Sequence, residues 1–124
     1  MELISNGEGS FHSPPVPNTP IVQVLFGGVE GGPDVGVAKV RVPVGTAMPE
    51  HDHSGSDVIV MPIEGSLEIT KGGEPTAIGV GDALLIHKHE KVGVRNPNDT
   101  DAEFIVAAAP PNFLVGIRSW PEPQ

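Results

Sequence analysis

These residues predict an all-β chain, on three observations. Sixteen glycines and fourteen prolines are spread through 124 residues, a density of breakers that suits short strands joined by turns and interrupts every candidate helix. No stretch sustains the 3.6-residue apolar period of an amphipathic helix. Runs rich in Val, Ile and Thr recur at short spacing, and some of them alternate apolar with polar residues. The length fits one domain with a single core and is short for two of ordinary size.

Taken in order, residues 1–20 are polar and Pro-rich. Ser13-Pro14-Pro15-Val16-Pro17 favours an extended, polyproline-like arm that lies across a neighbouring subunit, across the mouth of the fold, or free. A strand-rich domain is expected over 21–118 and a short tail over 119–124. The first strand, Ile21 to Phe26, is closed by Gly27-Gly28. After the turn at Gly31-Gly32-Pro33-Asp34 comes Val35 to Val42, in which Ala38, Val40 and Val42 form a buried face and Lys39 and Arg41 meet water. Further strands are expected at Asp57 to Met61, Ser66 to Thr70, Thr76 to Val80, Ala83 to Ile86, Lys91 to Arg95, Glu103 to Ala108 and Phe113 to Ile117. Lys71-Gly72-Gly73-Glu74 fits a hairpin turn and Asn96-Pro97-Asn98-Asp99 a longer corner. Nine or ten short strands in one small domain imply a sandwich or a barrel.

Charge and composition exclude several roles. A formal charge of -9 with no basic patch disfavours nucleic acid and anionic membranes as partners. No apolar run approaches the roughly 20 residues of a membrane span, and Met1-Glu2-Leu3-Ile4-Ser5 lacks the basic and apolar regions of a signal peptide, so a cytoplasmic location is expected. The absence of cysteine removes disulfides, thiolate nucleophiles and thiolate metal sites. Gly27-Gly28 and Gly31-Gly32 lie between strands with no helix after them, so they read as turns and not as a phosphate loop.

Histidines carry the functional signal. Four of the five fall in two His-x-His pairs, His51-Asp52-His53 and His87-Lys88-His89. On a strand, residues i and i+2 share a face, and two imidazoles side by side are half a metal site. The fifth, His12, lies in the arm and reads as solvated. Without thiolates, any metal must be held by nitrogen and oxygen ligands.

At these residues the chain resembles the cupin family. Gly45-Thr-Ala-Met-Pro-Glu-His51-Asp-His53-Ser-Gly-Ser-Asp57, running on to Gly65, is similar to the first cupin motif, G-x5-H-x-H-x3,4-E-x6-G, with the glycine and both histidines in register. The segment from Gly81 to Asn96 resembles the second, G-x5-P-x-G-x2-H-x3-N, with its first Gly and last Asn matching. With its flanking strands, the resemblance covers nearly everything from Ile21 to Ile117. It implies a jelly-roll β-barrel of two antiparallel sheets, usually dimeric. It also implies one divalent metal ion, Fe, Mn, Ni, Co or Zn, held by the two His and the Glu of motif one and the His of motif two.

Two ligand places depart from the pattern. Val92 stands where motif two has its histidine, and His87 and His89 stand where it has Pro and Gly. The motif-one carboxylate falls on Asp57 with x3 spacing, leaving one residue too many before Gly65, or on Val58 with x4 spacing. Pro62 marks an edge or a bulge inside this strand, and a bulge would reconcile Asp57 with Gly65. If Asp57 points inward, His51, His53 and Asp57 make a two-His, one-carboxylate set with open positions. His87 and His89 then complete that site, bind another metal at the barrel rim, or are solvated turn residues. The usual glycine place in that turn calls for a positive φ, which His tolerates better than a β-branched residue does.

Parity extends the pocket. An inward Val92 takes Val94 and Asn96 with it, and an inward Asp57 takes Ile59 and Met61; Met48 adds adaptable lining. With Lys39, Arg41 and Arg95 all facing out, the expected ligand is a small, largely apolar organic molecule. The resemblance then implies metal-dependent oxygenation, isomerisation or cyclisation, with no catalytic acid or base identified. The alternative is a non-catalytic binding or sensor barrel with an eroded metal site, and a third possibility is a structural zinc closed by both histidine pairs. Outward sheet edges and an extended arm favour a homodimer that exchanges strands or arms.

Overall fold

The computed structural model describes residues 1–123. Ten strands are named in chain order: β1 (Ser10–His12), β2 (Ile21–Phe26), β3 (Gly36–Val42), β4 (Ala47–His51), β5 (Asp57–Glu64), β6 (Ser66–Lys71), β7 (Glu74–Gly79), β8 (Leu84–Ile86), β9 (Val92–Arg95) and β10 (Ala102–Ala109). One helix follows, α1 (Asn112–Arg118). They form a six-stranded sheet, β1-β2-β3-β10-β5-β8, and a four-stranded sheet, β4-β9-β6-β7, antiparallel throughout. This is an all-β jelly roll of two facing sheets.

The core lies between the sheets and follows the period-2 pattern. Val22 and Val24, Ala38, Val40 and Val42, Val58 and Val60, and Phe104 and Val106 point inward from the larger sheet. Leu67, Ile69, Ile78, Val92 and Val94 meet them from the smaller one. Short β-branched side chains fit a pleated, half-buried surface, which is why valine dominates. The hairpin at Gly72-Gly73 pairs Lys71 with Glu74, and both glycines take positive φ, as a two-residue turn of this hand requires. At the 96–99 corner Asn96 is buried, but it works as a clamp and does not line the pocket. Its Nδ2 donates to the carbonyls of Val42 and Thr100, and its Oδ1 accepts from the Asn98 N–H.

Two expected elements differ. Phe113 to Ile117, expected as a strand, is helical. Leu114 and Ile117, three apart, are the buried pair, the spacing of one helix face. The helix fits because glycine lies beneath it: a Cβ on Gly28, at φ +81, would meet the Leu114 backbone at 2.9 Å, and one on Gly36 would collide with the Leu114 side chain. The arm is not wholly extended and separate, since Ser10–His12 pairs with Val22–Val24 as the edge strand of the larger sheet. His12 is accordingly not a free arm residue. Its Nδ1–H donates to the Trp120 carbonyl at 2.9 Å, and its Nε2 lies 2.9 Å from Ser10 Oγ.

Candidate functional site

β4 and the turn after it carry the histidines. A register shift between Met48 and His51 along β9 turns both residues inward although they are three apart, as a bulge does. His51 ends the strand, and its Nδ1 lies 2.8 Å from the Pro49 carbonyl. A carbonyl only accepts, so Nδ1 carries the proton and Nε2 is the ring nitrogen left for other partners. His53 sits in the following loop rather than on the strand. There Asp52 Oδ1 accepts the Ser54 N–H, Ser56 N–H donates to the His53 carbonyl, and Ser54 and Gly55 take positive φ. The two rings still meet, with centroids 4.7 Å apart and tilted by 42°.

His53 is buried against Phe113 of α1, ring centroids 5.0 Å apart, and its Nδ1 has no hydrogen-bond partner. Burial pushes its pKa down to about 4, with His51 adding to the effect and Asp52 opposing it. The ring is therefore neutral at pH 7. Ser56, itself buried, ties this loop to the helix: its hydroxyl donates to the Pro110 carbonyl and accepts the Phe113 N–H. Glu50, between the two inward residues, turns away and caps the Gly72-Gly73 hairpin. The N–H groups of Gly73 and Gly72 hold its carboxyl below the usual carboxylate range.

Below the histidines lies a cavity of about 200 Å³. Val22, Val40, Val58, Val60, Ile69, Ile86, Val92, Val94, Phe104 and Val106 wall it. Met48, His51, Asp52, His53 and Ser54 border it, as do Phe113, Ile117 and Trp120. Val92 and Val94 thus stand where parity put them, and Met48 lines the cavity too. Ile59 and Met61 do not: they are exposed on the outer face of β5, while Val58, Val60 and Pro62 point in.

That parity also removes Asp57 from the site. It is exposed, and its Oδ1 accepts the Lys88 N–H at 3.0 Å. The bulge anticipated at Pro62 is present, since Phe104 pairs with Pro62 while Glu103 pairs with Glu64. It lies beyond the proline, however, and leaves the alternation from Asp57 to Pro62 intact. Val58, 1% exposed, occupies the carboxylate place. His87 and His89 are exposed in the turn that Asp57 and Glu90 cap, and neither borders the cavity. His89 takes φ 68, the backbone condition anticipated for that position.

The side chains gathered here do not fit a complete metal centre. Two imidazoles face the cavity, but Val58 and Val92 fill the other two ligand places, and Asp57, His87 and His89 stand outside. Among the described residues no group of three or more His, Cys, Asp or Glu is close enough to hold an ion. Phe113, Ile117 and Trp120 were missed in the sequence because their segment reads as strand and tail. A lone Trp beside proline was the one hint there.

A double-sheet barrel with a histidine pair at one side of an apolar cavity defines the class, and the family comparison agrees. The model of the Cupin domain family matches residues 38–108, more than half of the chain, and the chain belongs to that family. No curated protein matches it. Among solved structures it is similar to the polyketide cyclase RemF from Streptomyces resistomycificus, with 18% identity over 88% of this chain and 79% of that one and a TM-score of 0.74. It is similar to KdgF from Halomonas sp., with 21% identity over 89% and 94% and a TM-score of 0.73. The Cupin_2 domain of an XRE family transcriptional regulator from Enterobacter cloacae shares 19% identity over 73% and 95%, at a TM-score of 0.64. Identities this low establish the fold alone. No helix among the described residues is long and apolar enough to cross a membrane.

Proposed function

We propose that this cupin is a small-molecule-binding barrel whose cavity works without a complete metal centre, as a binding or sensing module. Val58 and Val92 carry this assignment: both are buried in the wall, at the places where a carboxylate and a third imidazole would complete the ligand set. An apolar wall with a few convergent polar groups on one side is the usual form of a ligand site. Metal stoichiometry tests the assignment. The protein as purified, and after incubation with Fe, Mn, Ni, Co or Zn, is expected to hold well under one ion per chain. One tightly held ion, lost in a His51→Ala/His53→Ala variant, would overturn it.

A second reading, metal-dependent chemistry with the ion held by two imidazoles alone, has one observation in its favour. The Pro49 carbonyl orients His51 as outer partners orient metal-bound histidines. The same stoichiometry decides between the two. Self-association belongs to the proposal as well. The arm pairs with β2 through Ser10–His12, and Ile59 and Leu85 pair across β5 and β8 on the exposed outer face beside Met61. A homodimer through that face is expected, and a monomer at micromolar concentration in sedimentation would refute it.

A further inference from the structure

We propose, resting on the binding reading above, that the ligand is an uncharged, ring-sized molecule bearing one hydroxyl group, whose O–H donates to His51 Nε2. Three features define that class. The first is size. An enclosed apolar cavity of roughly 150 Å³ holds benzene, so the apolar space of about 200 Å³ here matches a single ring with a short substituent, and a fused polycyclic skeleton or an oligosaccharide would leave most of its surface outside it.

The second is charge. No Lys or Arg borders the cavity. Arg41 is engaged outside by Glu64, Asp101 and Glu103, and Arg95 by Glu68. A carboxylate or phosphate would be buried against valines without a counter-ion, which is strongly unfavourable. Asp52 is the one carboxylate at the border, and its Oδ1 already holds the Ser54 N–H. An ammonium group would therefore have to leave water for a partly engaged partner.

The third is the direction of the hydrogen bond. The Pro49 carbonyl, 2.8 Å from His51 Nδ1, holds that nitrogen as the donor, so in the singly protonated ring Nε2 offers a lone pair and needs a donor. A hydroxyl supplies one; an ether, ester or nitrile does not. The ring of the ligand then lies against Phe113, Trp120 and the valine wall, where Trp120 reports its arrival.

The test is titration of the full-length protein at pH 8, followed by Trp120 fluorescence and calorimetry, with phenol, anisole, toluene, benzoate, benzylamine and glucose. Phenol is expected to bind once per chain and about 5-fold more tightly than anisole, the worth of one net hydrogen bond. Benzoate, benzylamine and glucose are expected to bind at least 10-fold more weakly than phenol. In His51→Ala the preference of phenol over anisole disappears while anisole binding persists. The ligand comparison in the unaltered protein stands even if that variant fails to fold. Equal binding of phenol and anisole, or tighter binding of benzoate, benzylamine or glucose, overturns the proposed ligand class and leaves the binding barrel standing. No binding of any of the six, toluene included, overturns both.

Discussion

The two His-x-His pairs have the same spacing and opposite fates. His51 and His53 border a cavity, one oriented by a backbone carbonyl and the other buried against an aromatic ring. His87 and His89 stand in solvent on a turn whose backbone N–H groups are capped by Glu90 and Asp57. Sequence spacing puts two rings near each other, but where the strand ends decides what they face. β4 runs up to His51, and its bulge aims the residue inward. β8 stops at Ile86, one residue short of His87, and the turn carries the second pair away.

The contrast breaks most visibly at the wall beneath the first pair. Val58→Glu puts a carboxylate where no partner waits. It is expected to cost about 3 kcal/mol or more in urea denaturation. Adding Val92→His completes four ligands around His51 and His53, and zinc is then expected to restore much of that loss and to bind at about one ion per chain. Failure of the double variant to take up metal would show that Val58 and Val92 are not the missing ligand places. Asp57→Ala, by contrast, is expected to leave metal content unchanged and to lower stability by about 1 kcal/mol through the loosened turn.

Acid tests the buried ring of the first pair next. The folded pKa of His53 is lowered to about 4 from 6.5, so the unfolded chain binds the proton more readily. The stability this neutral ring supports is fully present above pH 6.5, erodes as pH falls towards 4, and changes no further below that. Denaturation midpoints between pH 7 and 4 should therefore fall less steeply in His53→Gln than in the wild type. Equal slopes in the two proteins would remove His53 as the source. Truncating the buried ring, His53→Ala, is expected to cost about 2 kcal/mol at pH 8, against less than ~0.5 kcal/mol for His87→Ala.

The smallest effect has the opposite sign. His89 holds φ 68, a region glycine occupies without a Cβ penalty. His89→Gly is expected to raise stability by up to about 1 kcal/mol and His89→Val to lower it by a similar amount, as read by thermal unfolding. A stabilising His89→Val would refute the left-handed geometry of that turn.

Much of this molecule was legible because its strands obey period 2 and its turns use residues with mechanical reasons. The alternation of Val40 and Val42 with Arg41, the Gly72-Gly73 hairpin and the Asn96 corner could be read directly. The site was half legible. His51 and His53 were found, but Asp57, Ile59 and Met61 were put on the wrong face because one residue in the Ser54–Ser56 turn inverts everything downstream. Ser54 at φ 56 followed by Gly55 at φ 78 sets that phase, and only the folded backbone reveals a positive φ at a serine. The helix was missed because Phe113-Leu114-Val115-Gly116-Ile117 is too short for its period to separate strand from helix. Its docking depends on bare glycines some eighty residues earlier in the chain.

Ser13 donates its N–H to the Pro121 carbonyl, and His12 reaches the Trp120 carbonyl. Residues 12–13 are thus sewn to residues 120–121, and the seam lies beside the helix that borders the cavity. Strain on either side of this seam would be felt at Trp120, which lines the cavity.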